Sequence, residues 1–194
     1  EMKDVPEYNI FSEQGKVAFT SLKLKSADYF PIKVYKDLPT DPLSSVTSVL
    51  AKMREGEGAA VQVLIAPVDS NWRGKGRGYV SNVKKREANP ESAKYSVDPK
   101  SLEAIDVKCS KPGFKTIVRL AVSSTSKESA EAHLSNLAGS FEQFSSDHNS
   151  FTKNRHLFKR AFMIDFIYRY FPVFGKSSVL NSEELDTIFH LPNK

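Results

Sequence analysis

The stretch Ile105-Asp106-Val107-Lys108-Cys109-Ser110-Lys111-Pro112-Gly113-Phe114-Lys115-Thr116-Ile117-Val118-Arg119-Leu120-Ala121-Val122 decides how the chain is read. Ile105, Val107 and Cys109 alternate with Asp106 and Lys108, the period of a half-buried strand. Pro112-Gly113 supplies the fixed and the positive φ of a type II turn, so Phe114 to Val122 reads as the returning partner strand. Directly after it, Ala130, Leu134, Leu137, Phe141 and Phe144 share one helical face, while Glu128, Glu131, Asn136 and Gln143 share the other. A strand followed by this helix opens the second half of a split βαβ order.

Upstream, Val17 and Phe19 alternate with Lys16, Ala18 and Thr20 in a strand running towards Leu24, and Ile32 and Val34 suggest a second, short one. Asp41 caps a helix with Pro42 at its first position. Leu43, Val46, Leu50 and Met53 mark its apolar face, and Gly56 stops it. Ala59 to Ala66 is apolar on nearly both faces, the pattern of a central, buried strand. With a short last strand near Phe151, the expected fold is α+β: a ferredoxin-like split βαβ sandwich carrying an extra basic helix at 71–86 and C-terminal helices. The organisation expected is a sandwich domain over 1–155, with a mobile loop at 87–101, and a C-terminal helical segment over 156–194 leading to a downstream domain. The loop rests on Asn89-Pro90-Glu91-Ser92 and Asp98-Pro99-Lys100-Ser101, which hold little apolar material.

Composition narrows the class. The 194 residues carry 28 Lys+Arg and 23 Asp+Glu, a net charge of +5, with 26% charged and 11% aromatic residues. That is a globular composition with enough length for a real core, and it argues against wholesale disorder. One cysteine, Cys109, excludes an internal disulfide and any multi-cysteine zinc site, and suits a reducing compartment. The richest apolar run, Ala161 to Phe174, falls short of the ~20 residues that span a bilayer and is interrupted by Asp165, Arg169 and Pro172. Charged Glu1-Met2-Lys3-Asp4 is followed by no apolar signal region. Both ends read as cut, so the chain is expected to be a piece of a longer protein.

The basic stretch offers a nucleic-acid candidate. Arg73, Lys75, Arg77, Lys84, Lys85 and Arg86 occur without an acid, and Trp72 and Tyr79 are interleaved among them. Cations neutralise phosphates and aromatic rings stack on bases. The competing reading is a surface helix whose Trp72, Tyr79, Val80 and Val83 face the core. Gly74, Gly76 and Gly78 each cost such a helix about 1 kcal/mol relative to alanine, so its first half is expected to be irregular. Arg77-Gly78-Tyr79 opens like an RNA-recognition signature, but Val80 to Lys84 depart from it.

Chemistry is harder to find. Gly175-Lys176-Ser177 lacks the glycine five positions upstream that a phosphate-binding loop needs, because Tyr170 stands there. His133, His148, His156 and His190 form no close ligand pair, and no serine sits in a Gly-x-Ser-x-Gly elbow. Asn181 with Glu184 is a helix capping box. No catalytic, cofactor or metal residue is therefore nominated. The aromatic run Phe158, Phe162, Phe166, Ile167, Tyr170, Phe171 and Phe174 predicts a helix apolar around most of its girth, with Asp165 and Arg169 spaced to pair. Phe162, Phe166, Tyr170, Phe171 and Phe174 are the candidates for packing against another domain or partner. Lys153, Arg155, Lys159 and Arg160 would also suit a membrane surface.

A set of short motifs adds a family likeness. They are Phe30-Pro31-Ile32-Lys33-Val34-Tyr35, Asp41-Pro42-Leu43, the run from Glu55 to Ile65, Trp72, and Lys111-Pro112-Gly113-Phe114. Leu180-Asn181-Ser182-Glu183-Glu184-Leu185 and Phe189-His190-Leu191-Pro192 complete the set. Over about Phe30 to Asn193 the chain resembles the region preceding the motor domain in bacterial type IV secretion and conjugative-transfer ATPases of the FtsK–HerA class. The resemblance implies a cytoplasmic accessory or assembly domain, at the inner face of the membrane in the full-length protein. Its partners would be its own ATPase domain, secretion-channel or membrane components, and DNA. No nucleotide-binding motif of that family is present in this chain, so no catalytic residue carries over. The rival reading is a free-standing nucleic-acid-binding module built on the basic 73–86 stretch.

Overall fold

The computed structural model describes residues 9–88, 97–156, 158–172 and 177–190. In chain order its elements are β1 (Lys16–Leu24), α1 (Pro42–Leu50), β2 (Gly58–Pro67), α2 (Asn71–Glu87), α3 (Pro99–Ser110) and β3 (Gly113–Ser124). They continue with α4 (Lys127–Gly139), β4 (Phe151–Asn154), α5 (Lys159–Ile167), β5 (Ser178–Asn181) and α6 (Ser182–Ile188). The class is α+β, as expected. One antiparallel sheet runs β2-β3-β1-β4, and β5 joins β3.

β3 is the spine. β2 lines one of its edges from end to end, with Gly58 opposite Ser123 and Pro67 opposite Phe114. β1 covers the other edge as far as Leu22 opposite Val118, and β5 takes over with Ser178 opposite Thr116. The Ser178 hydroxyl accepts the Leu24 amide at 2.8 Å across that junction. β5 and α6 thus belong to the same sheet and core as the residues before 156.

Alternation sends the strands' two faces into different layers. Ala18, Leu22 and Leu24 of β1, with Val118, Leu120 and Val122 of β3, pack under α1, α4 and α6. Leu120, Leu137, Leu180, Phe141 and Phe144 are essentially inaccessible there, each worth about 1.5–3 kcal/mol of burial. Phe19 and Ala121 face the opposite way, towards α5. Asp41 caps α1 by accepting the Leu43 amide at 2.8 Å, and Asn181 and Glu184 form the expected capping box of α6.

Five expectations are corrected. Ile105 to Cys109 is not a strand but the second half of α3, so β3 has no hairpin partner before it. Leu102, Ile105 and Cys109 are buried at helical steps of three and four. Asp98 caps the helix at its Lys100 amide, with Pro99 as the first residue. The expected loop therefore ends before Pro99, while residues 89–96 lie outside the described residues. Ile32 to Val34 is extended but joins no ladder, because the Ile32 amide donates to the Glu184 carboxylate and the Lys33 amide to the Phe144 carbonyl. β2 is a half-covered edge strand rather than a central, buried one: Ala59 to Leu64 are partly buried, Ile65 is exposed, and among the described residues only β3 pairs with it. Finally, α2 is helical from Asn71, glycines included.

Candidate binding surfaces

α2 owes its placement to one apolar side. Trp72, Gly76, Val80 and Val83 are buried, packed with Leu102, Ile105 and Cys109 of α3 and with Tyr29, Phe30 and Val179. Gly76 permits the crossing, since a Cβ there would sit 2.5 Å from Cys109 Sγ and 2.9 Å from Tyr29 Cβ. Burial pushes the Cys109 thiol above its ordinary pKa, which keeps it protonated and unreactive.

The basic candidates divide. Lys75, Arg77, Lys84, Lys85 and Arg86 are exposed on the outer side of α2, and the last three complement the helix dipole at its C-terminus. Arg73 is turned inward: its Nη2 donates to the Lys111 carbonyl at 2.8 Å, and its guanidinium lies 5.8 Å from the Trp72 ring centre. Tyr79 is committed as well, with ring centres 5.3 Å from Tyr29 and 5.4 Å from Phe30. Two shallow grooves, of about 590 and 460 Å³, run between α2 and α3. Glu87, Glu103 and Asp106 line the larger and Asp106 the smaller, so acids border this basic surface.

α5 crosses the other face of the sheet. Its Phe162 stacks on Phe19 of β1 at 4.3 Å, and the Phe166 carbonyl accepts from Gln62 of β2 at 3.0 Å. Between them Arg119 of β3 rises from below, buried, and gathers the helix's C-terminal carbonyls. Its Nη1 donates to Gln62 Oε1 at 3.0 Å and to the Asp165 carbonyl at 2.8 Å; its Nη2 donates to the Tyr170 carbonyl at 2.8 Å. The Asp165 carboxylate stands 3.8 Å from the same guanidinium, so its ionic partner is Arg119 rather than Arg169. Arg169 has left the helix, with φ at 55° where the chain reverses. Burial lowers the Arg119 pKa, and Asp165 partly offsets that.

Beside this cluster His156 Nε2 lies 2.8 Å from Ser21 Oγ, with its ring 4.6 Å from that of Phe162. Burial first, and Arg119 second, hold the imidazole below its ordinary pKa. A serine–histidine contact is the start of a nucleophile, but Ser21 is buried beneath α5 and a substrate would have to lift the helix to reach it. A second cluster fails differently. Glu57 accepts from the hydroxyls of Ser124 and Ser129 and lies 3.3 Å from His133 Nε2. The carboxylate, not the imidazole, stands between the groups, so no base faces a nucleophile. Among the described residues no group of three or more His, Cys, Asp or Glu could hold a metal ion. Of the unmatched phosphate-loop motif, Gly175 and Lys176 lie outside the described residues.

The aromatic candidates also divide. Phe162 and Phe166 are buried within their own domain, Tyr170 is exposed, Phe171 is half-buried, and Phe174 lies outside the described residues. Sequence reasoning passed over Ile164 and Tyr168, and read Phe158 and Ile167 only as part of the helix's apolar girth. Phe158 is 77% exposed and Tyr168 64%, and Ile164, Ile167 and Tyr170 are each more than half exposed. Ile164, Ile167 and Tyr168 stand at steps of three and four, on the side opposite Phe162 and Phe166, which was the available signal. The Tyr168 and Tyr170 rings stack at 5.5 Å. Arg155, Lys159, Arg160 and Arg169 are exposed around them.

A family model described as a domain of unknown function (DUF8128) matches residues 1–194. The chain belongs to the DUF8128 family. No curated protein and no solved structure matches it. In this DUF8128 domain, no helix of the described residues is long and apolar enough to cross a membrane.

Proposed function

We propose that this domain works by binding rather than by chemistry. In this reading it is a cytoplasmic accessory or assembly domain of a type IV secretion or conjugative DNA-transfer ATPase, held at the inner face of the membrane by other parts of its parent. The observation that carries the reading is the run of exposed apolar side chains from Phe158 to Tyr170, set among cations. Apolar side chains this concentrated on a folded surface mark a place where another surface docks. The motif resemblance over Phe30 to Asn193 supplies the kind of machine. The test is made on the full-length native product, with Phe158, Ile164 and Tyr170 changed to serine. The product should hydrolyse ATP, and the triple variant should lose assembly while the domain still unfolds cooperatively. A full-length product without ATPase activity, or assembly untouched by the triple variant, overturns the reading.

A free-standing nucleic-acid-binding module is the second reading, favoured by exposed Lys75, Arg77, Lys84, Lys85 and Arg86. Single-stranded DNA should then bind at low salt, with log K falling linearly against log salt at about 0.7 per phosphate neutralised. Reversing Lys84, Lys85 and Arg86 to glutamate should abolish it. Lack of binding at low salt removes this reading.

A further inference from the structure

The structure assigns the free edge of β2, with the last turn of α5 above it, as the place where a second copy of this chain pairs antiparallel with the first. β2 is ten residues long, Gly58-Ala59-Ala60-Val61-Gln62-Val63-Leu64-Ile65-Ala66-Pro67, and contains no charged side chain. Its register against β3 runs without a slip from Gly58 opposite Ser123 to Pro67 opposite Phe114. The strand is therefore free of bulges, and past Gly58, against which the Ile10 backbone packs, its outer edge is a row of alternating N–H and C=O groups. No strand borders that edge among the described residues, and none of the backbone hydrogen bonds they make outside strands and helices involves β2. Exposed edges are usually guarded by lysines, a bulge, an internal proline or shortness. Here proline enters only at the last position.

α5 extends the surface. It travels from Phe19 on β1 to Gln62 on β2, so its C-terminal turn emerges at the β2 edge with Ile167 and Tyr168 exposed. A second copy suits this edge better than a foreign peptide. An antiparallel strand turned about a two-fold axis offers its own donors to its own acceptors, so a β2–β2 pair satisfies both edges at once. An uncharged strand also meets itself without the like-charge repulsion that opposes most self-pairing. A charged peptide would find no complementary side chain along β2.

The pairing deepens the assembly reading, on which it rests for the idea that the α5 surface docks, and names one partner for part of it. The experiment uses this chain alone. Light scattering and sedimentation across micromolar to submillimolar concentrations should give a reversible dimer. Hydrogen exchange should protect every second β2 amide as concentration rises. Ile65→Lys with Ile167→Lys, at side chains 58% and 54% exposed, should leave the fold intact and raise the dissociation constant about tenfold or more. A monomer at every concentration overturns the pairing, and so does a dimer indifferent to both lysines. β2 amides protected equally at all concentrations overturn it too, since the edge would then be covered within one copy. None of these results touches the assembly reading, which is tested on the full-length product through Phe158, Ile164 and Tyr170.

Discussion

Lys108 and Glu184 meet at 3.0 Å, Nζ to Oε2, with neither side chain accessible to solvent. The pair joins α3 to α6 and fixes the extended segment between β1 and α1. Lys108 also donates to the Phe30 carbonyl at 3.1 Å, and Glu184 accepts the Ile32 and Asn181 amides at 2.9 Å each. A buried pair so fully bonded owes its value less to net attraction than to the cost of stranding either partner. Lys108→Met should lower the unfolding free energy by about 3–5 kcal/mol. Lys108→Met with Glu184→Leu should cost less than the two single changes summed, as a urea-denaturation double-mutant cycle would register. Strict additivity would mean that the two residues do not work as a unit.

The glycines of α2 separate by surroundings. Gly74 and Gly78 have nothing within 4 Å of an added Cβ, so Gly74→Ala and Gly78→Ala should each stabilise by up to about 1 kcal/mol through helix propensity. Gly76→Ala gains the same propensity but drives a methyl into Cys109 and Tyr29. It should be net destabilising by about 1–3 kcal/mol, the usual penalty of overpacking. Thermal melts of the three variants provide the comparison, and a stabilised Gly76→Ala would contradict the close α2–α3 crossing.

Acid should loosen the start of β2. The Ser124 hydroxyl, and after it the Arg54 amide, hold the Glu57 carboxyl down at about 2, against an ordinary 4.5, with smaller help from Ser129 and His133. A carboxyl depressed in the folded state adds stability that is fully present above its unfolded pKa and is lost as pH falls through the folded one. That contribution should fade between about pH 4.5 and 2. Glu57→Gln should flatten stability against pH over this window, read from denaturation midpoints at successive pH values. An unchanged acid limb would assign the loss to other carboxylates.

Arg119 should govern α5 more than the sheet. Arg119→Met leaves the Asp165 and Tyr170 carbonyls without their donor, a loss of about 2–4 kcal/mol. Amide exchange should accelerate in α5 well beyond the change in β3. The His156 pKa should rise towards its ordinary value as the neighbouring cation goes, which an NMR titration of the imidazole would follow. Uniform acceleration through the whole domain would mean that Arg119 supports the core as such and not the helix.

Local patterns carried much of this fold. Alternation from Lys16 to Leu24 gave β1, Asp41-Pro42 gave the start of α1, and Asn181 with Glu184 gave the start of α6. The same signal, Asp98-Pro99, opens α3, but it stands in the stretch read as a loop, and Ile105, Val107 and Cys109 after it read as a strand. That alternation was incidental. Val107 is 49% exposed while Lys108 is buried, because Glu184 waits for its charge from the far end of the chain. The surface residues were half legible: the cations of α2 stood out, but Arg73 and Tyr79 differ from Lys75 and Arg77 only through Lys111, Tyr29 and Phe30, which sit elsewhere in the sequence.

Sequence alone determined the starts of α1 and α6 and the strand at Lys16 to Leu24, because caps and periodicity act over a few neighbouring residues. It marked Ala59 to Ala66 as a strand with apolar residues on both faces, of which Ala59 to Leu64 are half-covered and Ile65 stands exposed. Only the tertiary structure decided that the cover comes from helical layers, which leaves β2 at the rim of the sheet with an open edge. Side-chain periodicity reports burial perpendicular to a sheet, whereas hydrogen-bond partners lie within its plane, and the backbone groups that pair there are the same for every residue type but proline. The α5 surface follows the same division: its girth of apolar residues was written in the chain, and which half faced solvent was settled by Phe19 and Arg119 holding the other half down.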